Sequence, residues 1–385
     1  MWKRKKHILV LMPDRFNNAM GGMGANSVYV FEKLQKEFSF SVVGYPDALP
    51  KPAYIKEYRD AVNPLLDVHF GPLLTLEGQI EYFYQATQCE KPDLIYAYDW
   101  SVGLAALRAA DYFKIPLVFR VSLSFDKMVD DGLFLGLNPK VAGEMAILRG
   151  LRNMEILGLK RADRVIQVSN GYAKRFEKQE YLKDKTVIIP NGINAEIWKK
   201  EKEVTLPGTR KLKLVYIGRF AEMKGIGLLC NASLPESVDL IFIGAMEENI
   251  FSEMVKKAVS ERENVHYIGA LYGQDKIDAL FAADGVIMPS RHEPFGTVGL
   301  EALASNNIIL SSCVDGLGDY LPEVAIRFDL SSASISEAIR KFVSLFEPRG
   351  EVERMEKLEK GTEIVKKYNW TVAAAKLGEV FRNLV

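Results

Sequence analysis

The chain has few residues that could form disulfides or bind metals. Its 385 residues include only three cysteines, Cys89, Cys230 and Cys313. Because they are odd in number and widely spaced, a disulfide framework is disfavoured and a reducing cytoplasm is the expected compartment. The four histidines show no metal-ligand spacing. We therefore expect no structural or catalytic metal and no cofactor.

The chain also lacks an excess of charge and a long apolar run. Fifty basic and fifty acidic residues give a formal net charge of zero, which excludes a broad basic surface for nucleic acid or an acidic membrane. No apolar run reaches the about 18 residues of a transmembrane segment, and the run at residues 7–12 is too short for a signal peptide. With 48% hydrophobic and 26% charged residues, the composition is typical of a soluble protein of about two domains.

Short apolar runs alternate with helical patterns, which predicts a doubly wound α/β architecture. The first predicted strands lie at residues 7–12, 40–45, 93–98, 116–121, 164–168 and 186–189. The turn-rich sequence Pro190-Asn191-Gly192-Ile193 then marks a boundary. A second series lies at residues 212–217, 238–243, 265–268, 285–288 and 308–311. We expect domains over residues 1–193 and 194–368, with a terminal helix over 369–385.

The most informative stretch, residues 284–307, combines a strand, an acidic loop and a helix. Ligands of open parallel sheets bind outside the carboxyl ends of the strands. Glu293 in the loop and Glu301 in the helix can therefore hold opposite ends of one ligand. Three backbone N–H groups before the helix would face an anion there, those of Phe295, Gly296 and Thr297. A solvated helix face is the alternative interpretation.

A second phosphate-binding pattern follows the first predicted strand. Its residues open a helix after a polar loop, and they are Gly21, Gly22, Met23 and Gly24. The G-x-G-x-x-G spacing is missing, and no acidic strand end follows about twenty residues later, so a Rossmann dehydrogenase is disfavoured. A tight structural turn remains the alternative.

Two basic residues follow the first strand of the second series, Arg219 and Lys224. Arginine forks onto phosphate oxygens and lysine supplies a compact positive charge, so both suit a diphosphate. A solvated surface is the alternative. Their place at a strand end, in register with the acidic loop, favours phosphate binding.

The string HEPFGTVGLEALAS at residues 292–305 resembles the retaining nucleotide-sugar glycosyltransferases of the GT-B type, in particular family 4 and the glycogen and starch synthases. The pair Asp99-Trp100 at a predicted strand end is similar to the HDW motif of this family. The resemblance implies an α/β protein with two doubly wound Rossmann-like domains facing across a cleft. The N-terminal domain would take the acceptor, the second would bind the nucleotide sugar, and the terminal helix would cross back to the first domain.

The resemblance also implies roles for the residues named above. Arg219 and Lys224 would stabilise the departing diphosphate. Glu301 would bind the nucleotide ribose, since a carboxylate can accept from both ribose hydroxyls. Glu293 and Asp99 would lie beside the transferred sugar, and the loop at residues 21–23 would meet the diphosphate across the cleft. For Asp99 a helix N-cap is the equal alternative.

Three positions depart from the family pattern. The lysine that precedes the glycine pair in bacterial glycogen synthases is Ala19, which favours family 4, and the histidine of HDW is Tyr98. A further histidine, which would follow the strand at residues 116–121 and face the transferred sugar, is Ser122. We expect Ser122 to reach a sugar hydroxyl through a water, or His292 to fill the space from the other domain.

The sequence therefore predicts a cytoplasmic, metal-independent, retaining hexosyltransferase. Its donor would be a UDP-, ADP- or GDP-sugar, and its acceptor a hydroxyl of a glucan, small sugar or lipid-linked glycan. In a same-face attack the leaving phosphate takes the acceptor's proton, so the reaction requires no protein nucleophile. A glycoside hydrolase would also use two carboxylates but has no need of the Arg/Lys pair. A nucleotide-sugar epimerase and a non-catalytic nucleotide-sugar-binding protein remain as alternatives.

Overall fold

The computed structural model describes residues 4–13, 22–44, 52–61, 71–133 and 140–385. The chain divides into two compact units. Unit 1 consists of Met1–Val168, Ala173–Pro190 and Trp370–Val385, and unit 2 consists of Ser169–Tyr172 and Asn191–Asn369. Unit 1 is thus assembled from segments that are distant in sequence.

The described part of unit 1 contains a seven-stranded parallel sheet. Its strands are β1 (Lys6–Met12), β2 (Phe38–Gly44), β3 (Ile55–Asp60), β4 (Leu94–Tyr98), β5 (Leu117–Val121), β6 (Arg164–Gln167) and β7 (Thr186–Ile188). They are ordered β3-β2-β1-β4-β5-β6-β7. Residues 8–12 of β1 are fully buried, as expected for a parallel sheet that is covered on both faces.

The first helices in chain order are α1 (Gly22–Leu34), α2 (Gly71–Thr87), α3 (Gly103–Phe113), α4 (Phe125–Asp130), α5 (Ala142–Arg161) and the single turn α6 (Asn170–Ala173). Local sequence explains their ends. Helix α4 begins after Ser124, whose hydroxyl accepts the N–H of Lys127 at 3.2 Å. Helix α5 carries Glu144 in its first turn and Lys160 and Arg161 in its last, which complements the helix dipole.

Unit 2 contains a six-stranded parallel sheet. Its strands are β8 (Leu212–Ile217), β9 (Val238–Ile243), β10 (Val265–Tyr267), β11 (Gly285–Met288), β12 (Ile308–Ser311) and β13 (Ile326–Arg327). They are ordered β10-β9-β8-β11-β12-β13, the arrangement of a dinucleotide-binding sheet. The chain order reverses between β8 and β11, where ligands bind in such sheets.

The helices of unit 2 cover both faces of this sheet. They are α7 (Ile226–Cys230), α8 (Ile250–Glu261), α9 (Gly273–Phe281), α10 (Thr297–Ala304), α11 (Ser332–Ser344) and α12 (Glu351–Lys367). The main core cluster combines alternate residues of β8 and β9 with buried side chains of α11, such as Ile339 and Phe342. The N-cap of helix α8 is Asn249, whose side chain accepts the N–H groups of Phe251 and Ser252.

The last helix, α13 (Trp370–Arg382), packs into the core of unit 1. The ring of Phe381 meets those of Phe38 and Tyr96 edge-on, with centroids 5.5 and 5.4 Å apart. Such aromatic pairs add about 0.5–1.5 kcal/mol each beyond the area they bury. The end of the described chain therefore completes a core that begins at β1.

The prediction of two doubly wound parallel α/β domains is confirmed. Two strands were missed, β3 and β13, and both lie at sheet edges. The side chains of β3 are half-exposed, so Ile55–Asp60 shows no apolar run, and β13 has only two residues. Among the described residues, no helix combines the length and apolar character needed to cross a membrane.

Candidate active site

In unit 2 the predicted basic and acidic residues lie on the two loops that flank the point where the strand order reverses. Strand β8 ends at Ile217 and is followed by Arg219 and Lys224. Its neighbour β11 ends at Met288 and is followed by Glu293. The structure thus brings together residues separated by about seventy positions at the place where open α/β sheets bind ligands.

Lys224 and Glu293 form an ion pair. The Lys224 ammonium contacts Oε2 of Glu293, and the two side chains are 21% and 13% exposed. Ser290 donates its hydroxyl to the same carboxylate oxygen at 3.2 Å. The Glu293 N–H donates to Oδ2 of Asp315 at 3.1 Å. The carboxylate is therefore held by a cation and by the hydroxyl of the buried Ser290, while the side chains of the ion pair remain partly exposed.

The turn that carries Lys224 is fixed by the acidic loop. Arg291 donates its backbone N–H to the carbonyl of Met223 at 2.8 Å. Gly225 ends the turn at φ 66°, and a Cβ there would lie 1.8 Å from the Pro289 carbonyl oxygen. Only glycine fits this conformation and this close approach. The backbone of the acidic loop therefore fixes the turn that carries Lys224.

Arg219 is exposed, and within the described residues it makes no ion pair. Its guanidinium donates to the sulfur of Met223 at 3.7 Å. Its carbonyl accepts the hydroxyl of Tyr216 at 2.7 Å, which anchors the backbone at the end of β8. Burial, with the charge of Glu293 adding, raises the pKa of Tyr216 well above its usual range, so this hydroxyl stays a donor. The result is an exposed cation without an acidic partner among the described residues, on the loop that also carries Lys224.

The start of α10 offers backbone donors. No hydrogen bond from within the described residues occupies the N–H groups of Phe295, Gly296 and Thr297. Gly296 has φ 83°, and a Cβ there would lie 2.2 Å from Leu317 Cδ2. The ring of Phe295 stacks on Tyr320 with centroids 5.4 Å apart, which fixes the residue before the helix. This helix start can accept an anion.

Glu301 lies inside α10 and is 9% exposed. Lys276, on α9, donates to its Oε1 at 2.7 Å. The ammonium of Lys276 also lies 5.4 Å from the ring centroid of Trp198. Neither Lys276 nor Trp198 was predicted, because they lie 25 and 103 positions before Glu301 and belong to no motif.

His292 is fully buried, and its Nε2 lies 3.1 Å from the Tyr172 hydroxyl. Its Nδ1 lies 3.7 Å from Oδ2 of Asp315. The expectation that His292 fills the space of the missing family histidine is therefore wrong, because a fully buried ring cannot contact a sugar. Ser169 accepts the N–H of Tyr172 at 3.0 Å, as a helix cap does.

In unit 1, Asp99 and Ser122 follow the adjacent strands β4 and β5. Asp99 is 5% exposed, and its carboxylate accepts the N–H of Trp100 at 2.7 Å. Its backbone has φ 68° and ψ 166°, a region nearly restricted to glycine that costs about 1–3 kcal/mol. Burial raises the pKa of Asp99 to about 7, although the N–H groups of Trp100 and Leu123 oppose this. Ser122 is half-buried.

A further carboxyl of unit 1, Glu155 on α5, was missed. It is fully buried, and its Oε2 accepts the N–H of Asp126 at 2.7 Å. Burial raises the pKa of Glu155 to about 8, and the charges of Asp99 and Asp126 add to this effect. The sequence contains a signal for this burial, because Glu155 lies at helical spacing among apolar residues. Leu148, Leu151, Glu155 and Leu159 share the buried face of α5.

The glycine loop is only partly within the described residues. Gly22 and Met23 begin α1, directly on the helix that follows β1. Gly21 and Ala19 lie outside the described residues. Within the described ranges, no group of three His, Cys, Asp or Glu side chains is arranged to hold a metal ion.

Two family descriptions match the chain. Residues 21–192 match the glycosyl transferase 4-like domain, and residues 197–362 match glycosyl transferases group 1. Glycogen synthase from Mycobacterium tuberculosis (strain CDC 1551 / Oshkosh) is 26% identical over 239 residues, which cover 60% of this chain and 54% of that protein. The chain thus spans about half the length of that relative. Glycogen synthase from Francisella philomiragia is 22% identical and is matched over 99% of this chain and 90% of its own length.

Solved structures share the fold. Sucrose-phosphate synthase from Thermosynechococcus elongatus aligns with a TM-score of 0.79 and 19% identity, covering 98% of this chain and 99% of that one. Anabaena HepE in complex with UDP-glucose aligns with a TM-score of 0.71 and 16% identity, covering 98% of this chain and 100% of that one.

Proposed function

Because the chain is a glycosyltransferase with the GT-B fold that resembles family 4 and the glycogen and starch synthases, we propose that it transfers a hexose from a nucleoside diphosphate sugar to a hydroxyl acceptor with retention of configuration. The donor is a UDP-, ADP- or GDP-sugar, and UDP-glucose in the Anabaena neighbour supports the uridine form. The acceptor is a carbohydrate or a lipid-linked glycan.

One observation carries this proposal: Arg219, exposed and without an acidic partner among the described residues, lies on the loop after β8 that also carries Lys224. An exposed cation without an acidic partner favours the binding of an anion. The N–H groups at the start of α10 extend the same anion site. A diphosphate supplies several oxygens, and both cations can bind them at once.

The reaction needs these cations most when the bond to the diphosphate breaks. The acceptor oxygen bonds to the anomeric carbon, the bond from that carbon to the phosphate oxygen breaks, and the acceptor's proton passes to the leaving phosphate. Negative charge grows on the diphosphate during this step, so Arg219 and Lys224 stabilise the transition state more than the bound donor. With two cations in this role, the reaction proceeds without a metal.

The remaining residues bind the rest of the donor. Glu301 accepts hydrogen bonds from the ribose, and Glu293 contacts hydroxyls of the transferred sugar. When the diphosphate draws Lys224 toward itself, Oε2 of Glu293 becomes available to the sugar. In unit 1 we assign Asp99, Ser122 and the backbone at residues 21–23 to the sugar and the diphosphate by their likeness to the family. We also propose that the reaction takes place in a reducing cytoplasm, which the three free cysteines support.

The test is a panel of UDP-, ADP- and GDP-sugars incubated with the purified protein. Binding is followed by the shift in melting temperature, and turnover by released nucleoside diphosphate and by the product. We expect one nucleotide class to stabilise the protein and one sugar to be transferred. The NMR coupling constant of the product's anomeric proton should show the same anomeric configuration as in the donor. An inverted product would refute retention, and the absence of any bound sugar nucleotide would refute the proposal as a whole.

The substitution of the family histidine by Ser122 favours one second candidate, a protein that binds the donor without turning it over. Such a protein would be stabilised by a sugar nucleotide and release no product with any acceptor. An epimerase would convert the donor in the absence of an acceptor, which the same panel detects.

A further inference from the structure

Lys276 and Glu301 form an ion pair that is shielded from solvent. The atoms Nζ and Oε1 are 2.7 Å apart, and the side chains are 19% and 11% exposed. Two other lysine–carboxylate pairs with the same separation, Lys256–Glu253 and Lys366–Glu363, are far more exposed; in the first the side chains are 56% and 66% exposed. A shielded pair is weakened less by water and salt, so it holds its geometry better than a surface pair.

Trp198 holds the other side of this pair. Its ring lies 5.4 Å from the Lys276 ammonium, within the range of a cation–π interaction. Its indole N–H donates to the hydroxyl of Ser305 at 2.7 Å, and that hydroxyl donates to the Glu301 carbonyl at 3.1 Å. Trp198, Lys276, Glu301 and Ser305 therefore form a closed ring of contacts within unit 2.

This ring leaves one carboxylate oxygen of Glu301 for a ligand. Lys276 engages Oε1, and no hydrogen bond from the described residues reaches Oε2. A carboxylate oxygen has two lone pairs, so Oε1 also keeps one acceptor position. The Lys276 ammonium thus fixes the plane of the Glu301 carboxylate and compensates its charge. It leaves acceptor positions on both oxygens for ribose hydroxyls.

We propose that Lys276 is a positioning residue, held by Trp198, that orients the Glu301 carboxylate to accept hydrogen bonds from the ribose of the donor. This inference rests on the proposed function, in which Glu301 binds the ribose. Without Lys276 the Glu301 side chain can rotate, and its largely buried charge has no cation beside it. Binding of the ribose must then also restrict the rotation of the Glu301 carboxylate. This loss of conformational entropy weakens donor binding.

The experiment measures nucleotide binding by calorimetry. The probe is whichever of UDP, ADP and GDP binds the wild-type protein most tightly, together with the 2′,3′-dideoxy form of that nucleotide. The variants are Lys276→Met, Lys276→Arg and Glu301→Gln, with Lys256→Met as the matched control. We expect Lys276→Met to weaken binding of the ribonucleotide roughly tenfold, the dideoxynucleotide less than about twofold, and Lys276→Arg to recover most of the loss. The donor KM should rise while kcat changes little.

The variants separate the possible failures. If Lys276→Met weakens both nucleotides equally, or neither, the positioning role is refuted, since a general structural defect does not distinguish ribose from dideoxyribose. If Glu301→Gln also fails to distinguish them, Glu301 does not bind the ribose and that part of the proposed function falls. If the wild-type protein binds none of the three diphosphates, both proposals are refuted.

Discussion

Glu293 and Asp99 hold equivalent places in the two sheets, each after a strand beside the point where strand order reverses, yet their surroundings differ. Glu293 contacts the ammonium of Lys224. Asp99 contacts backbone N–H groups, no ion pair from the described residues reaches it, and its pKa is raised to about 7. The same topology therefore supports two electrostatic designs, an ion-paired carboxylate in unit 2 and, in unit 1, a carboxyl near its midpoint at neutral pH.

The largest expected effect comes from removing a positive charge from the loop after β8 in unit 2. Arg219→Ala or Lys224→Ala should lower turnover roughly 100-fold or more, because each removes a charge that stabilises the leaving diphosphate in the proposed reaction. Released nucleoside diphosphate measures the rate, and circular dichroism checks the fold. The exposed Arg327→Ala is the control. Wild-type rates in both variants would mean that these cations do not act on the diphosphate.

The second prediction concerns the buried carboxyls of unit 1. Because the pKa of Glu155 is raised to about 8 in the folded state, the folded protein binds more protons than the unfolded one between the ordinary pKa and about 8. Stability contributed by this group therefore falls as the pH rises through that window. Glu155→Gln removes the titration, so its stability relative to wild type should grow by about 4 kcal/mol between about pH 5 and pH 9.

Urea unfolding at several pH values measures this difference, and Glu356→Gln, at an exposed position of α12, serves as the control. A constant difference across the pH range would show that Glu155 is ionised throughout. Burial would then not keep this carboxyl of unit 1 protonated at neutral pH, and the contrast with unit 2 would rest on Asp99 alone.

A smaller effect is expected from Ser122→His, which introduces the histidine of the family pattern after β5, the strand that neighbours the one before Asp99. The ring can carry a charge and form a direct hydrogen bond to a sugar, so the preference among donor sugars should change by about tenfold or less. The ratio of kcat/KM values over the donor panel measures it. If wild type binds a donor but transfers nothing, while the histidine variant turns over, the non-catalytic interpretation is correct.

The smallest effect should come from chelation. Since two cations stabilise the leaving group in the proposed reaction, EDTA should leave the rate unchanged within error. Loss of activity that Mg²⁺ or Mn²⁺ restores would mean that a metal does this work instead.

The sequence predicted the strands of both sheets where burial on both faces produces an apolar run; the bounds of β8, β9, β11 and β12 agree with the structure to the residue. It failed at β3, whose half-exposed edge position requires no such run. For the site, motif and strand-end position located Lys224 and Glu293. The contact of Lys276 with Glu301 was beyond prediction, because it depends on how α9 and α10 pack rather than on any local pattern.

The place of α13 in the core of unit 1 bears on how the protein is made. A ribosome produces the chain from its amino end, so strands β1 to β7 emerge long before Trp370–Arg382. Until residues 191–369 have been synthesised, Phe38 and Tyr96 lack their Phe381 partner, and the apolar surface of this core stays partly open. Unit 2, apart from four residues, is continuous, so its core can be complete before the last helix of unit 1 has been synthesised.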